Sequence, residues 1–283
     1  MRWKSEFLMI VVFFAAGGME QRMAGQIFPW LPETAPADTL DHRIPPPKGY
    51  ERVAVAPGSF ADWLRHLPLR EGRPPVCYHD GREKVNQSAH AAVVNMDIGA
   101  RDLQQCADTI IRLRAEYLYA QGRRDEIVFA FTSGHPAEFR RWTEGFRPRV
   151  NGNDVCWVLS AAPGGSYEDL QQYLRTVYIY AGTWSLARQL QAVPAEESVR
   201  GGDAFILGGF PGHAVLVVDL AENPQTGQRV MLLAQGYTPA QDVHILRNAA
   251  NPDLSPWFDA AVAGELNILG WPFERRHLRR WPD

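Results

Sequence analysis

His213 and Gln235 are the residues whose types and setting point most directly to chemistry. The segment Gly202-Asp203-Ala204-Phe205-Ile206-Leu207 runs through Gly-Gly-Phe-Pro-Gly into His213-Ala-Val-Leu-Val-Val-Asp219. A short apolar run, a glycine-rich turn and a second apolar run predict a hairpin, with the imidazole where the turn meets the buried strand. A third apolar run, Val230 to Ala234, ends in Gln235. One strand therefore offers a general base, and its neighbour an amide able to hold the ring in one tautomer. These are two members of a Cys-His-polar triad, which needs a nucleophile as its third.

The chain holds three cysteines, Cys77, Cys106 and Cys156. Thiolate is favoured at a helix start, where the helix dipole and free N–H groups stabilise negative charge. Leu103, Cys106, Ala107, Ile110, Leu113 and Tyr117 recur at helical spacing and predict a helix from about Arg101 to Gln121, stopped by Gly122. On this reading Cys106 sits in the second turn and on the apolar stripe, the setting of an inert thiol. Asp102, Gln105, Asp108 and Arg112 nevertheless bring polar groups to the same helix. Cys106 is the expected nucleophile; Cys77, after two prolines, and Cys156, beside Trp157, read as structural. Thr183 and Ser185 follow Gly182 at a predicted helix break and are the alternative hydroxyl nucleophiles, although a hydroxyl there is more commonly a cap.

Asp102, Gln105, Arg112 and Gln241 are the expected substrate-binding residues, around a groove between the helix and the His213 strand. His90 and Asp97 bracket another strand, but no spacing specifies a metal shared with His213, and there is no Cys-x-x-Cys pair. No metal and no cofactor is expected. Trp142, Trp157, Trp184, Trp257 and Trp271 include candidates for stacking on a sugar, against the commoner role of scattered tryptophans in a core.

These residues must be positioned by a larger frame. Residues 19–48, rich in Pro, Ala and Thr, read as a linker or strap, and a single domain is expected over 49–283. Strands are predicted over 52–56, 76–79, 91–96, 126–131 and 155–159. Ser59 caps a predicted helix reaching Leu67, and a further short helix is expected over 135–144. Ser166 opens a long helical stretch interrupted at Gly182 and ending before Pro194. Strands near 203–207, 213–219, 229–235 and 241–246 follow, then a terminal helix over 257–263. Arg275, Arg276, Arg279 and Arg280 read as a solvated face. Helices in the middle and consecutive strands at the end predict an α+β fold with a mostly antiparallel sheet.

The 283 residues and formal charge of -3 allow a well-filled core and supply no basic field, which argues against a nucleic-acid partner. Arg2 and Lys4, the apolar stretch Phe7 to Ala16, and Ala15-Ala-Gly-Gly18 have the pattern of an export signal over residues 1–18. The apolar stretch is too short for a comfortable membrane span. An exported protein, periplasmic or secreted and without stable membrane insertion, is expected.

The strings Asn86-Gln-Ser-Ala-His-Ala-Ala-Val93, Arg101-Asp-Leu-Gln-Gln-Cys-Ala-Asp108, Pro211-Gly-His-Ala-Val215 and Ala234-Gln-Gly-Tyr-Thr-Pro-Ala-Gln241 look like a bacterial family of unknown function numbered 4846. Arg112-Leu-Arg-Ala-Glu-Tyr-Leu-Tyr119 and Tyr180-Ala-Gly-Thr183 carry the same resemblance. More distantly, Gly202-Asp203 through Gln235 resembles the NlpC-type papain-like peptidases of the cell wall. That resemblance implies a papain-like fold and a thiol attack on an amide of peptidoglycan peptide, with Cys106, His213 and Gln235 as the triad. The Asp-Cys pair that opens the nucleophile helix of those enzymes is replaced here by Gln105-Cys106-Ala107-Asp108. Two readings follow: an exported thiol hydrolase, or an exported module that binds a wall peptide or glycan without cutting it.

Overall fold

The computed structural model describes residues 28–31 and 38–282. The expected export signal and residues 19–27 and 32–37 of the Pro-rich strap lie outside the described residues. In chain order, α1 (Leu40–Arg43), β1 (Glu51–Arg52) and α2 (Phe60–Arg65) lead to β2 (His90–Val93) and α3 (Cys106–Ala120). Next come β3 (Val128–Ala130), β4 (Pro136–Glu138), α4 (Phe139–Thr143), β5 (Phe146–Asn151) and β6 (Asp154–Leu159). Helices α5 (Tyr167–Tyr180) and α6 (Thr183–Gln189) precede β7 (Gln191–Ala192), β8 (Ala204–Leu207), β9 (His213–Glu222), β10 (Arg229–Gln235) and β11 (His244–Leu246). The chain closes with β12 (Phe258–Asp259), β13 (Leu266–Ile268), β14 (Trp271–Phe273) and β15 (Leu278–Arg280).

One antiparallel sheet dominates, in the order β2-β11-β10-β9-β8-β15-β7, with β1 on β9 and β12 on β10. The fold is α+β. β9 is the central strand, and its alternating side chains enter two different apolar layers. Ala214, Leu216 and Val218 pack with Ile110 and Leu113 of α3, while Val215 and Val217 pack with Phe205 and Phe273. Covering both faces is why the strand reads as a continuous apolar run, and each aliphatic so buried contributes about 1.5–3 kcal/mol.

Local signals hold where side chains close the ends of elements. Ser59 Oγ accepts from the Asp62 N–H at 3.2 Å, and Ser166 and Asp169 cap α5 reciprocally. Each such cap contributes about 1 kcal/mol. The principal helix begins later than its apolar spacing predicts: Asp108 Oδ2 accepts from the Gln105 N–H at 3.0 Å, and α3 opens at Cys106. Cys106 is thus the first helical residue, not a second-turn residue.

Other departures have comparable causes. The predicted helix over 135–144 is split, because Pro136–Glu138 pairs with β3 before α4 begins. β5, not foreseen, pairs along its whole length with β6. The segment over 76–79 makes only isolated bridges, and the strand expected over 52–56 shortens to β1. In place of a terminal helix over 257–263, Phe258–Asp259 adds to the edge of β10. The arginine-rich tail is not a solvated face throughout, since β15 inserts between β8 and β7 and Arg280 meets buried Asp203 at 2.7 and 2.8 Å. Among the described residues, no helix is long and apolar enough to cross a membrane.

Candidate functional site

β9 begins at His213, antiparallel β10 ends at Gln235, and β11 begins at His244, so three neighbouring strands present polar side chains at one margin of the sheet. The register pairs Gln235 with His244 directly. His213 Nε2 lies 2.8 Å from Gln235 Oε1, Gln235 Nε2 lies 3.2 Å from His244 Nε2, and His244 Nδ1 lies 2.8 Å from the Asp242 carbonyl oxygen. The His213 ring stacks on Trp271 with centroids 5.2 Å apart and meets the edge of Tyr237 at 4.9 Å. Burial pushes its pKa down to about 4, with Gln235 opposing and Lys84 adding to the shift. The ring is therefore neutral at pH 7, and its Nδ1 makes no hydrogen bond among the described residues.

Cys106 approaches from the other side of the strand. The backbone N–H groups of Ala214, Ala107 and Cys106 face its sulfur and favour thiolate, but burial and the Asp108 carboxyl outweigh them and push the thiol up to about 11. The resting pair is thiol and neutral imidazole. Both residues line a cavity of about 1000 Å³, at the upper end of small-ligand sites. Among the described residues no hydrogen bond joins sulfur to ring, an arrangement common before substrate tightens a site. Two glycines let the pieces meet. A Cβ on Gly212 would lie 2.7 Å from the carbonyl oxygens of Gly209 and Leu207, and one on Gly236 would lie 2.9 Å from the Gln105 carbonyl oxygen.

The sequence-predicted residues divide into those at the cavity and those away from it. Asp102 and Gln105 line it and join the helix start to the loop after β10. Gln105 Nε2 donates to Asp102 Oδ1 at 2.9 Å, Thr238 donates to Gln105 Oε1 at 2.9 Å, and Asp102 Oδ1 accepts from the Ala240 N–H at 2.7 Å. Arg112 is not at the cavity: it is buried, donating to Glu116 at 3.2 Å and to Gln104 at 2.6 Å. Gln241 is also fully buried and off the cavity wall. Arg112 is held inside a buried polar cluster and Gln241 beside the Tyr78 bridge, and neither reaches the cavity wall. Thr183 lines the cavity, but its hydroxyl donates to the Gly209 carbonyl at 3.1 Å. Ser185 is buried away from it and caps α6 through Gly182.

Cys77 and Cys156 lie off the cavity, and Cys156 is exposed on the β5–β6 hairpin instead of packed in a core. His90 Nε2 bonds the Pro74 carbonyl at 3.0 Å, and among the described residues no cluster of three metal-ligating side chains exists. Of the tryptophans, Trp184 and Trp271 line the cavity, while Trp142 and Trp257 are core. Sequence reasoning misses His244 and Tyr237. The signal for His244 was a polar residue inside the apolar run Val243 to Leu246. A second cavity of about 620 Å³, bordered by Arg114, Arg200 and Arg280, contains neither Cys106 nor His213.

A family described as a domain of unknown function (4846) matches residues 40–280. No curated protein and no solved structure matches the chain.

Proposed function

We propose that this chain, which belongs to the family of domains of unknown function numbered 4846, is an exported thiol hydrolase that cleaves an amide of cell-wall peptide. The observation that carries this reading is the convergence of the first residue of α3, Cys106, and the Gln235-bonded His213 on one cavity. A cysteine at a helix start, a sheet histidine and an amide behind the ring form the constellation that acyl transfer to sulfur requires.

The chemistry follows from the resting protonation states. As sulfur attacks the substrate carbonyl, His213 Nδ1 takes the thiol proton, and the Gln235 carbonyl oxygen holds Nε2–H throughout. The imidazolium then delivers that proton to the leaving amine. Water, deprotonated by the same ring, releases the acid from the thioester. The N–H groups of Cys106, Ala107 and Ala214 face the sulfur and ease the loss of its proton to the ring. Among the described residues the cavity wall carries Asp102 but no Lys or Arg, and Asp108 there keeps its proton at pH 7, which fits a substrate neutral or amine-bearing at this point. Exposed Trp184 and Phe210 at its rim suit the apolar face of a sugar or side chain. The wall-peptide assignment and the export assignment draw on the basic-apolar N-terminal segment and the resemblance of the His213 hairpin.

The test is incubation of the full mature protein with purified muropeptides, with new amine ends detected by mass spectrometry. Loss of product in Cys106→Ala and His213→Ala supports the reading; equal product profiles in all three proteins refute it. The raised thiol pKa and the missing sulfur–ring hydrogen bond favour a second reading, a module that binds wall peptide without cutting it. Calorimetric binding of muropeptides by wild type with no product would select it.

A further inference from the structure

We propose that His244 is a positioning residue, which fixes the amide of Gln235 and through it the tautomer of His213. The direction of the chain of hydrogen bonds is set at its far end. The Asp242 carbonyl can only accept, so His244 must carry its proton on Nδ1, 2.8 Å away. His244 Nε2 then bears a lone pair and accepts from the Gln235 amide nitrogen at 3.2 Å. That places the Gln235 carbonyl oxygen toward His213, where it accepts from Nε2–H at 2.8 Å. The lone pair of His213 is thereby confined to Nδ1, the one ring nitrogen without a hydrogen bond among the described residues.

No alternative direction satisfies every group. Reversing the Gln235 amide would set its carbonyl oxygen against the His244 lone pair, a repulsion that no tautomer of His213 relieves. Gln235 and His244 are each 1% exposed, so water cannot replace a lost partner. The anchor is itself held: Arg70 forks onto both Asp242 carboxylate oxygens at 2.9 and 3.0 Å, and the Cys77 N–H adds a bond at 2.8 Å. A conformation of the 241–244 backbone is thus relayed across three strands to the unbonded nitrogen of His213, a residue of the cavity wall.

This inference concerns the site of the hydrolase reading but is testable apart from it. The full chain, with nitrogen-15 in its histidine rings, reports each tautomer by the chemical shifts of Nδ1 and Nε2. Wild type is expected to show His213 protonated on Nε2 and His244 on Nδ1. His244→Phe removes the acceptor and is expected to give a mixture of His213 tautomers. His244→Gln restores an acceptor oxygen and is expected to return the wild-type pattern. The rate of Cys106 alkylation by iodoacetamide, followed on its own peptide, is expected to fall about tenfold in His244→Phe and to recover in His244→Gln, the scale of one buried hydrogen bond. A single Nε2 tautomer in His244→Phe, or a mixture in both variants, overturns the proposal. If His244→Phe does not fold, the wild-type spectrum still decides, because a proton on His213 Nδ1 or on His244 Nε2 overturns it. An inert Cys106 beside a fixed His213 tautomer would instead refute the hydrolase reading and leave the positioning role standing.

Discussion

Replacing Asp108 with Asn is expected to flatten the pH dependence of stability. Asp108 is the third residue of α3, is 5% exposed and borders the cavity next to Cys106. Its Oδ2 accepts from the Gln105 N–H, whereas Oδ1 has no partner among the described residues. Burial, against the opposing hydrogen bonds of Gln105 and its own N–H, pushes the carboxyl from 3.8 up to about 8. Below pH 3.8 both folded and unfolded chains hold this proton, so it contributes no pH dependence. Between pH 3.8 and about 8 the unfolded chain ionises while the folded chain does not, so stability falls as pH rises. The slope is about 1.4 kcal/mol per pH unit, or roughly 2.7 kcal/mol between pH 5 and pH 7. Asn keeps the acceptor for the Gln105 N–H and removes the titration. Urea unfolding of wild type and Asp108→Asn across pH 5 to 8 should therefore give curves that diverge, with the variant gaining relative to wild type at higher pH. Parallel curves would show that the carboxylate is accommodated in the folded protein and that the burial argument is wrong.

Asp219, with its side chain fully buried, bonds Arg52 at 2.8 Å and Arg65 at 2.7 Å. Asp219→Ala strands both arginines and should cost about 3 kcal/mol or more in chemical denaturation. Gly212→Ala forces a methyl against two fixed carbonyl oxygens, and a loss of about 1–3 kcal/mol is expected from the same measurement, while Gly264→Ala, with open space around it and no left-handed backbone to strain, should cost less. Iodoacetamide at pH 7 should label exposed Cys156 fastest in the unfolding-free protein, and muropeptide turnover should survive Cys77→Ser and Cys156→Ser but not Cys106→Ser. Retained turnover in Cys106→Ser would move the nucleophile elsewhere.

What the chain alone determines is clearest around His213. Doubly buried strands must be continuous apolar runs, and a glycine turn between two of them leaves little but a hairpin, so β8, β9 and β10 were legible with Gln235 beside His213. Ser59 and Ser166 were equally legible, because a cap is a contact over three residues. The place of Cys106 was not. Leu103 extends the helical spacing upstream, and only the reach of Asp108 back to Gln105 ends the helix at the cysteine. Nor could local pattern separate Asp102 and Gln105, which meet the loop after β10, from Arg112, which turns inward to Glu116. The arginine tail shows the same limit: Leu278-Arg-Arg280 reads as surface until Asp203, 77 residues earlier, supplies a buried partner. Periodicity and capping act over a few residues and are written in the sequence. Which charge is paired, and which thiol meets the sheet margin, depends on contacts between distant segments that form only when the chain closes on itself.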